Sequence, residues 1–362
     1  MHKTAAWPLA LLYAALVVYA SLYPFAEWRD QGIAPWSFLQ APVHPYWTGF
    51  DVAINMLGYG PLGALLAVSM MRMGSVRHPV FLALATVALL SFGMEALQSY
   101  LPARVPSRED FLLNTLGGAL GAVMAWVLER VGAIASWSRI RRRWFVADAS
   151  GGMVLLATWP MALLFPAAVP FGLGQVLDRV KLFFQDYLQD TPFALPMTVD
   201  APGPLTPVTE LLCVVLGLLI PCLLGYCIVR RAWRRAVFVL CVLMVGVAVT
   251  SLSAAMSWGP VHAWAWLNLA TRIGMVLALM VALLLITIPW RASAALLLVV
   301  LGVYLSLLNQ APGNAYFALT LQAWEQGRFI RFHGLAQWLG WVWPYAVLVY
   351  ALTQIWGRDS QN

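Results

Sequence analysis

Charge is what this sequence has least of. Of 362 residues only 10% are Asp, Glu, Lys or Arg, against 62% hydrophobic, and the mean hydropathy is +0.77. A soluble domain is about 45–50% apolar, so there is too little polar surface here to coat a water-facing globule. Cysteine is scarce as well. Cys213, Cys222, Cys227 and Cys241 all fall in apolar runs. None is paired with a histidine at the tight spacing of a zinc site, and no disulfide framework is implied. His44, His262 and His333 are scattered along the chain, so no metal site and no cofactor are expected. A Gly-rich phosphate loop and a nucleophile elbow are both missing. Internal repeats and matched broken helices are also missing, which argues against an inverted-repeat transporter.

What is present is a series of long apolar runs. A spanning helix takes about 20 residues. Runs near 7–25, 52–71, 79–98, 110–128, 150–170, 209–229, 236–257, 263–288, 292–309 and 335–356 qualify. The reading is all-α, a polytopic transmembrane bundle of about ten spans in a bacterial cytoplasmic membrane. The net charge of +7 is not a nucleic-acid signature, because the arginines concentrate in RIRRRW at 139–144 and RRAWRR at 230–235. Excess Lys and Arg mark cytoplasmic loops, which places both termini in the cytoplasm. Among the acids, only Glu129, Asp148 and Asp359 then lie inside. VYA before Ser21 has a weak cleavage-like form, but the first helix reads as an uncleaved anchor.

Outside the spans, residues 26–50 are rich in Trp and Pro, which suits a loop at the membrane interface. Residues 173–190 carry apolar side chains at helical spacing with a polar opposite face, as an amphipathic helix on the outer leaflet would. Residues 315–334 read as a further interfacial piece. The chain divides into a four-span region, 1–135, and a six-span region, 136–362.

Against this apolar background the stretch EALQSYLPARVPSREDFLLN at 95–114 stands out, since charge is costly near a membrane. Helix 2 opens with Asp51 and carries Asn55 one turn later. Helix 3 ends with Glu95 and Gln98. Helix 4 starts with Asp110 and carries Asn114. All three ends lie at the outer face in this topology, and the loop between the last two supplies Arg104 and Arg108. Three polar pairs and two arginines converge on one candidate pocket. Ser107 also suits an N-cap, Arg108 and Glu109 a solvated pair, and Asn55 and Asn114 interhelical hydrogen bonds. Glu95, in an otherwise apolar span, needs a partner, and Arg104 is the nearest in sequence. Gly117 and Gly121 have the spacing of close helix packing. Arg272, flanked by Asn268 and Thr271, falls inside a span and would serve a transport pathway or pair with an acid of a neighbouring helix.

The string Asp51-x3-Asn55-x5-Pro61-Leu62-Gly63, followed by Glu95-x2-Gln98-x5-Arg104-x2-Ser107-x2-Asp110-x3-Asn114-x2-Gly117-Gly118, resembles the VanZ-like family, and SLYPF at the end of helix 1 fits it. The resemblance covers roughly residues 10–130. It implies about four to five spans in that region and a possible link to glycopeptide response, but brings a phenotype without a mechanism. The six later spans lie beyond it.

Chemically, the cluster fits an outer-leaflet site for a lipid phosphate. Arg104 would bind it bidentately with Arg108 as a second charge. Asn55, Gln98 and Asn114 would fix the headgroup, and Glu95 and Asp110 would orient the arginines or act as acid and base. The expected partners are membrane lipids: a lipid-linked glycan precursor or a phospholipid. Two alternatives stay open, a lipid or small-molecule flippase and a membrane-embedded acid–base enzyme.

Overall fold

The computed structural model describes residues 6–359 apart from 24, 26, 41–48, 74–75, 166, 178–179, 181–183, 185–186, 189–205, 231 and 311–329. Among these residues there is no β-strand, and one isolated bridge joins Phe145 to Val229. The α-helices are α1 (Ala6–Leu22), α2 (Gly49–Met73), α3 (Pro79–Gln98), α4 (Arg108–Arg130), α5 (Ala133–Trp144), α6 (Ser150–Leu163), α7 (Pro207–Ile228), α8 (Ala232–Trp258), α9 (Leu269–Leu284), α10 (Trp290–Asn309) and α11 (Ile330–Asp359). Five of them, α3, α4, α7, α8 and α10, are long and apolar enough to cross a membrane. The chain forms two compact units, Met1–Ile140 and Arg141–Asn362.

In the first unit α2 lies against α4, with α3 packed on α4 and α1 on α2. The core is small: Leu62 and Leu66 of α2, Val87 of α3, Ala122 and Ala125 of α4. The outward faces stay apolar, with Phe81, Leu89, Leu112 and Met124 all exposed. Such a surface suits lipid rather than water.

The second unit is built around α7. Every residue from Gly217 to Ile228 is buried, as expected of a helix apolar on all sides. α9 and α10 cover two of its faces, α8 and α6 pack on others, and α11 lies against α6 and α10.

Two elements differ from the sequence reading. The apolar run at 150–170 is not one helix. α6 stops at Leu163, and prolines follow at 166 and 170. Pro lacks an N–H and disfavours helix in the residue before it. The chain continues as a buried irregular segment whose backbone is satisfied by side chains. Tyr304 Oη donates to Phe171 O at 2.8 Å and accepts from Leu173 N. Asn309 Oδ1 accepts from Val176 N and Leu177 N, each at 3.0 Å. Irregular backbone among apolar helices persists only where it is paired in this way. The second difference is α9, which begins at Leu269. Arg272 therefore sits in its first turn, exposed, with Nε donating to Leu267 O at 3.0 Å, and not in mid-span.

Of the amphipathic segment near 173–190, Leu173 is buried in the irregular piece and Leu177, Val180, Phe184 and Tyr187 are exposed; its other half lies mostly outside the described residues. So do residues 315–329 of the third interfacial piece, His44, and the side chains of Asp51 and His333.

Candidate functional site

The site begins with glycine. Gly60 and Gly63 on α2 face Gly117, Gly118 and Gly121 on α4, and a Cβ at Gly63 or Gly121 would land on the carbonyl of Gly118 or Gly60. The two backbones therefore touch, as small residues allow. On α3, Val87 packs onto Gly118. Three helices thus meet closely just below their polar ends, and polar side chains above the contact face one another. Asn55 Nδ2 donates to Asp110 Oδ1 at 2.6 Å, joining α2 to α4. Asn114 Nδ2 donates to Ser91 Oγ at 3.1 Å, joining α4 to α3.

The start of α4 organises the acids. Ser107 is extended, and its Oγ accepts from Asp110 N at 3.2 Å as an N-cap. The same hydroxyl donates to Glu109 Oε2 at 2.9 Å. Ser107 N donates to Glu95 Oε2 at 2.8 Å, so Glu95 of α3 is held at the N-terminal end of α4, where the helix dipole favours an anion. Glu95 is 3% exposed and Glu109 6%. Glu109 is therefore not the solvated half of a surface pair. Arg108 Nη2 lies 4.0 Å from Glu109 Oε1, with the Arg108 side chain well exposed and that of Glu109 buried.

Arg104 and Gln98 have a different setting. Arg104 Nε and Nη2 donate to Tyr23 O at 3.1 and 2.7 Å, and Nη2 also reaches Ala20 O at 3.2 Å. Gln98 Nε2 donates to Ser21 O at 2.9 Å. Both side chains satisfy carbonyls at the C-terminal end of α1, which a helix leaves without intrahelical partners. The bidentate edge of Arg104 is thus occupied by Tyr23 O.

Tyr59, one turn beyond Asn55 on α2, is 5% exposed. Its hydroxyl lies near Ser21 and Ser91, with the Glu95 and Asp110 carboxylates close by. It makes no hydrogen bond of full geometry, and neither does Asn114 Oδ1, also buried. A buried donor and a buried acceptor are thus left open in one polar column. Above the column, Phe38, Phe92 and Phe111 form an aromatic cluster, with centroids 5.6 to 6.3 Å apart. It ties the loop after α1 to the C-terminal part of α3 and the N-terminal end of α4. No group of three His, Cys, Asp or Glu among the described residues could hold a metal ion.

Residues 7–129 match the VanZ/LLP1 family model. Every residue of the column falls within that VanZ-like region, and the remainder of the chain extends beyond it. No curated protein and no solved structure matches the chain.

The structure thus brings Asn55, Glu95, Ser107, Asp110 and Asn114 of the VanZ-like region together, keeps Arg108 at the rim, and turns Gln98 and Arg104 onto α1. It adds Tyr59, Ser91 and Glu109. The signal for the first two was in the spacing: Asn55 and Tyr59, and likewise Ser91 and Glu95, stand at i, i+4, the interval that puts two side chains on one helix face.

Proposed function

We propose that the VanZ-like region binds the headgroup of a lipid-linked phosphate, a cell-envelope glycan precursor or a phospholipid, at the outer leaflet of a bacterial cytoplasmic membrane. In this reading about ten helical segments span or enter the bilayer, and both termini are cytoplasmic. The observation that carries it is the Glu95 carboxylate, nearly inaccessible in an apolar helix and held by the start of α4. An acid is kept at such a place for a site more often than for stability. Charge decides how the ligand would lie. Glu95, Glu109 and Asp110 outnumber Arg104 and Arg108, and Arg104 is committed to α1, so a phosphate belongs at the rim with Arg108 and the N–H groups of the α4 start. The column below would take hydroxyl or amide groups of the headgroup, with Tyr59 donating and Asn114 and the carboxylates accepting. If the ligand is a peptidoglycan precursor, a link to glycopeptide response follows.

Lipid mass spectrometry on the protein extracted in native membrane patches tests this. One phosphorylated lipid should be enriched with the wild type and lost with both Arg108→Ala and Glu95→Gln. Equal lipid content in all three would overturn the reading. An acid–base enzyme on the same headgroup is the second reading, favoured by Glu95 and Asp110 both standing near Tyr59. It predicts a chemically altered lipid that disappears with Glu95→Gln while binding persists.

A further inference from the structure

The two arginine-rich stretches of the sequence, 139–144 and 230–235, are separated by more than eighty residues. In the second unit they meet. Phe145, directly after α5, bridges antiparallel to Val229, directly after α7. Val146 N donates to Ile228 O at 2.9 Å and Arg230 N to Trp144 O at 3.0 Å. Arg230 Nε adds a bond to Phe145 O at 2.6 Å. This short backbone pairing brings Trp144 edge-on to Trp233, with ring centroids 5.5 Å apart and planes at 69°. The Arg234 guanidinium lies over both rings, 5.7 Å from Trp144 and 5.2 Å from Trp233.

The patch so formed contains Arg141, Arg142, Arg143, Arg230 and Arg234. Arg142, Arg143, Arg230 and Trp233 are exposed. None of the five arginines forms an ion pair within the described residues, and Asp148, the acid nearest in sequence, pairs with none of them. Arg234 Nε is buried without a hydrogen-bond partner. Like charges gathered without counter-charges repel one another, and an external anion relieves that repulsion. The depth of the patch identifies the anion. It lies at the C-terminal end of α7 and the N-terminal end of α8, two helices of membrane-crossing length. A helix of 22 residues is about 33 Å long, so its ends reach the headgroup layer. Tryptophan concentrates in that layer, and guanidinium groups match phosphate there.

We infer that this face is a docking surface for the headgroups of anionic phospholipids. The Trp144–Trp233 pair sits at the boundary with the acyl chains, and the arginines take the phosphates.

The test is native mass spectrometry of the full chain released from nanodiscs of mixed phosphatidylglycerol and phosphatidylcholine. The wild type is compared with the triple variant Arg142→Ala/Arg143→Ala/Arg234→Ala. The wild type should retain phosphatidylglycerol over phosphatidylcholine, and retention should fall about fivefold per arginine removed. A triple Arg→Lys variant should keep most of it, because the charge remains. The double variant of the exposed Arg142 and Arg143 alone gives the same readout if the triple variant fails to fold. Equal retention by the wild type and the double variant would overturn the inference. So would displacement of the lipid by inorganic phosphate, which would mark a site for free anions.

Discussion

Arg235 in the second unit and Glu95 in the first are both buried, at 8% and 3% exposure. Arg235 donates Nε to Val229 O at 3.1 Å, Nη1 to Ile286 O and Ile288 O at 3.0 and 2.6 Å, and Nη2 to Tyr226 O at 2.7 Å. The four carbonyls belong to the last turns and exits of α7 and α9. Their guanidinium partner makes four hydrogen bonds from its five N–H groups, and the Tyr226 ring lies against it. Around Glu95 the hydrogen bonding is open-ended: Tyr59 Oη, Asn114 Oδ1 and Glu109 Oε1 have no hydrogen-bond partner. A buried charge bonded to four backbone carbonyls fastens helices. A buried charge beside unused donors and acceptors is what a binding site leaves for its ligand. Arg235 is thus spent on architecture, whereas the column beside Glu95 keeps polar capacity in reserve.

The comparison can be broken at several points. Arg235→Met strips the donor from four carbonyls at once and should destabilise the protein by about 3–5 kcal/mol. Thermal unfolding in detergent would read this, with Arg235→Lys recovering only part. A loss below 1 kcal/mol would mean the carbonyls are met otherwise and the fastening role is wrong. Next in size is the glycine crossing. Gly63→Ala sets a methyl against the backbone of α4, whereas Gly225→Ala in α7 sets it against the Phe238 ring, a side chain that can turn aside. Overpacking costs about 1–3 kcal/mol, with Gly63→Ala at the upper end and Gly225→Ala at the lower. The reverse order would show that the α2–α4 contact is softer than its geometry.

Arg104→Ala and Glu95→Gln sharpen the contrast inside the first unit. Arg104 caps α1, so its loss should lower stability by about 1–3 kcal/mol and weaken lipid retention only in proportion. Glu95→Gln keeps an oxygen for Ser107 N and should cost about 1 kcal/mol, yet remove most lipid retention. Stability and retention falling together in both variants would reduce the column to a structural network.

Much of this was legible in the sequence, for reasons visible in particular residues. Helix positions followed from apolar runs, since lipid-facing and core-facing residues are apolar alike. Ser107 announced a cap, and Gly117 with Gly121 announced a close contact. The failures share a cause: a side chain's direction depends on partners remote in sequence. Arg235 looks like one more loop charge in RRAWRR, and only the return of α9 beside α7 shows the carbonyls it meets. Arg104 was assigned to a ligand because α1, whose carbonyls it holds, lies some eighty residues away. Tyr59 was not singled out because a lone tyrosine in an apolar run carries no charge to mark it. The end of α6 was missed because hydropathy continues through Pro166 and Pro170 where helix cannot.

The smallest expected effect separates the two kinds of burial most cleanly. Tyr59→Phe removes one oxygen and keeps the ring in the core. A buried hydroxyl that finds no partner costs about 1–3 kcal/mol relative to a satisfied one, so on architecture alone the substitution should be neutral or should stabilise the protein by about 1 kcal/mol. A hydroxyl kept in spite of that cost is kept for something that occupies the column. Tyr59→Phe should therefore raise the unfolding temperature of lipid-free protein, while the native lipid that stabilises the wild type stabilises the variant less. The same substitution on Tyr304, whose hydroxyl is bonded to Phe171 O and Leu173 N, should destabilise the protein with or without lipid. If Tyr59→Phe also destabilises the lipid-free protein, its hydroxyl is bonded within the fold, and the column is closed in the same way as the setting of Tyr304.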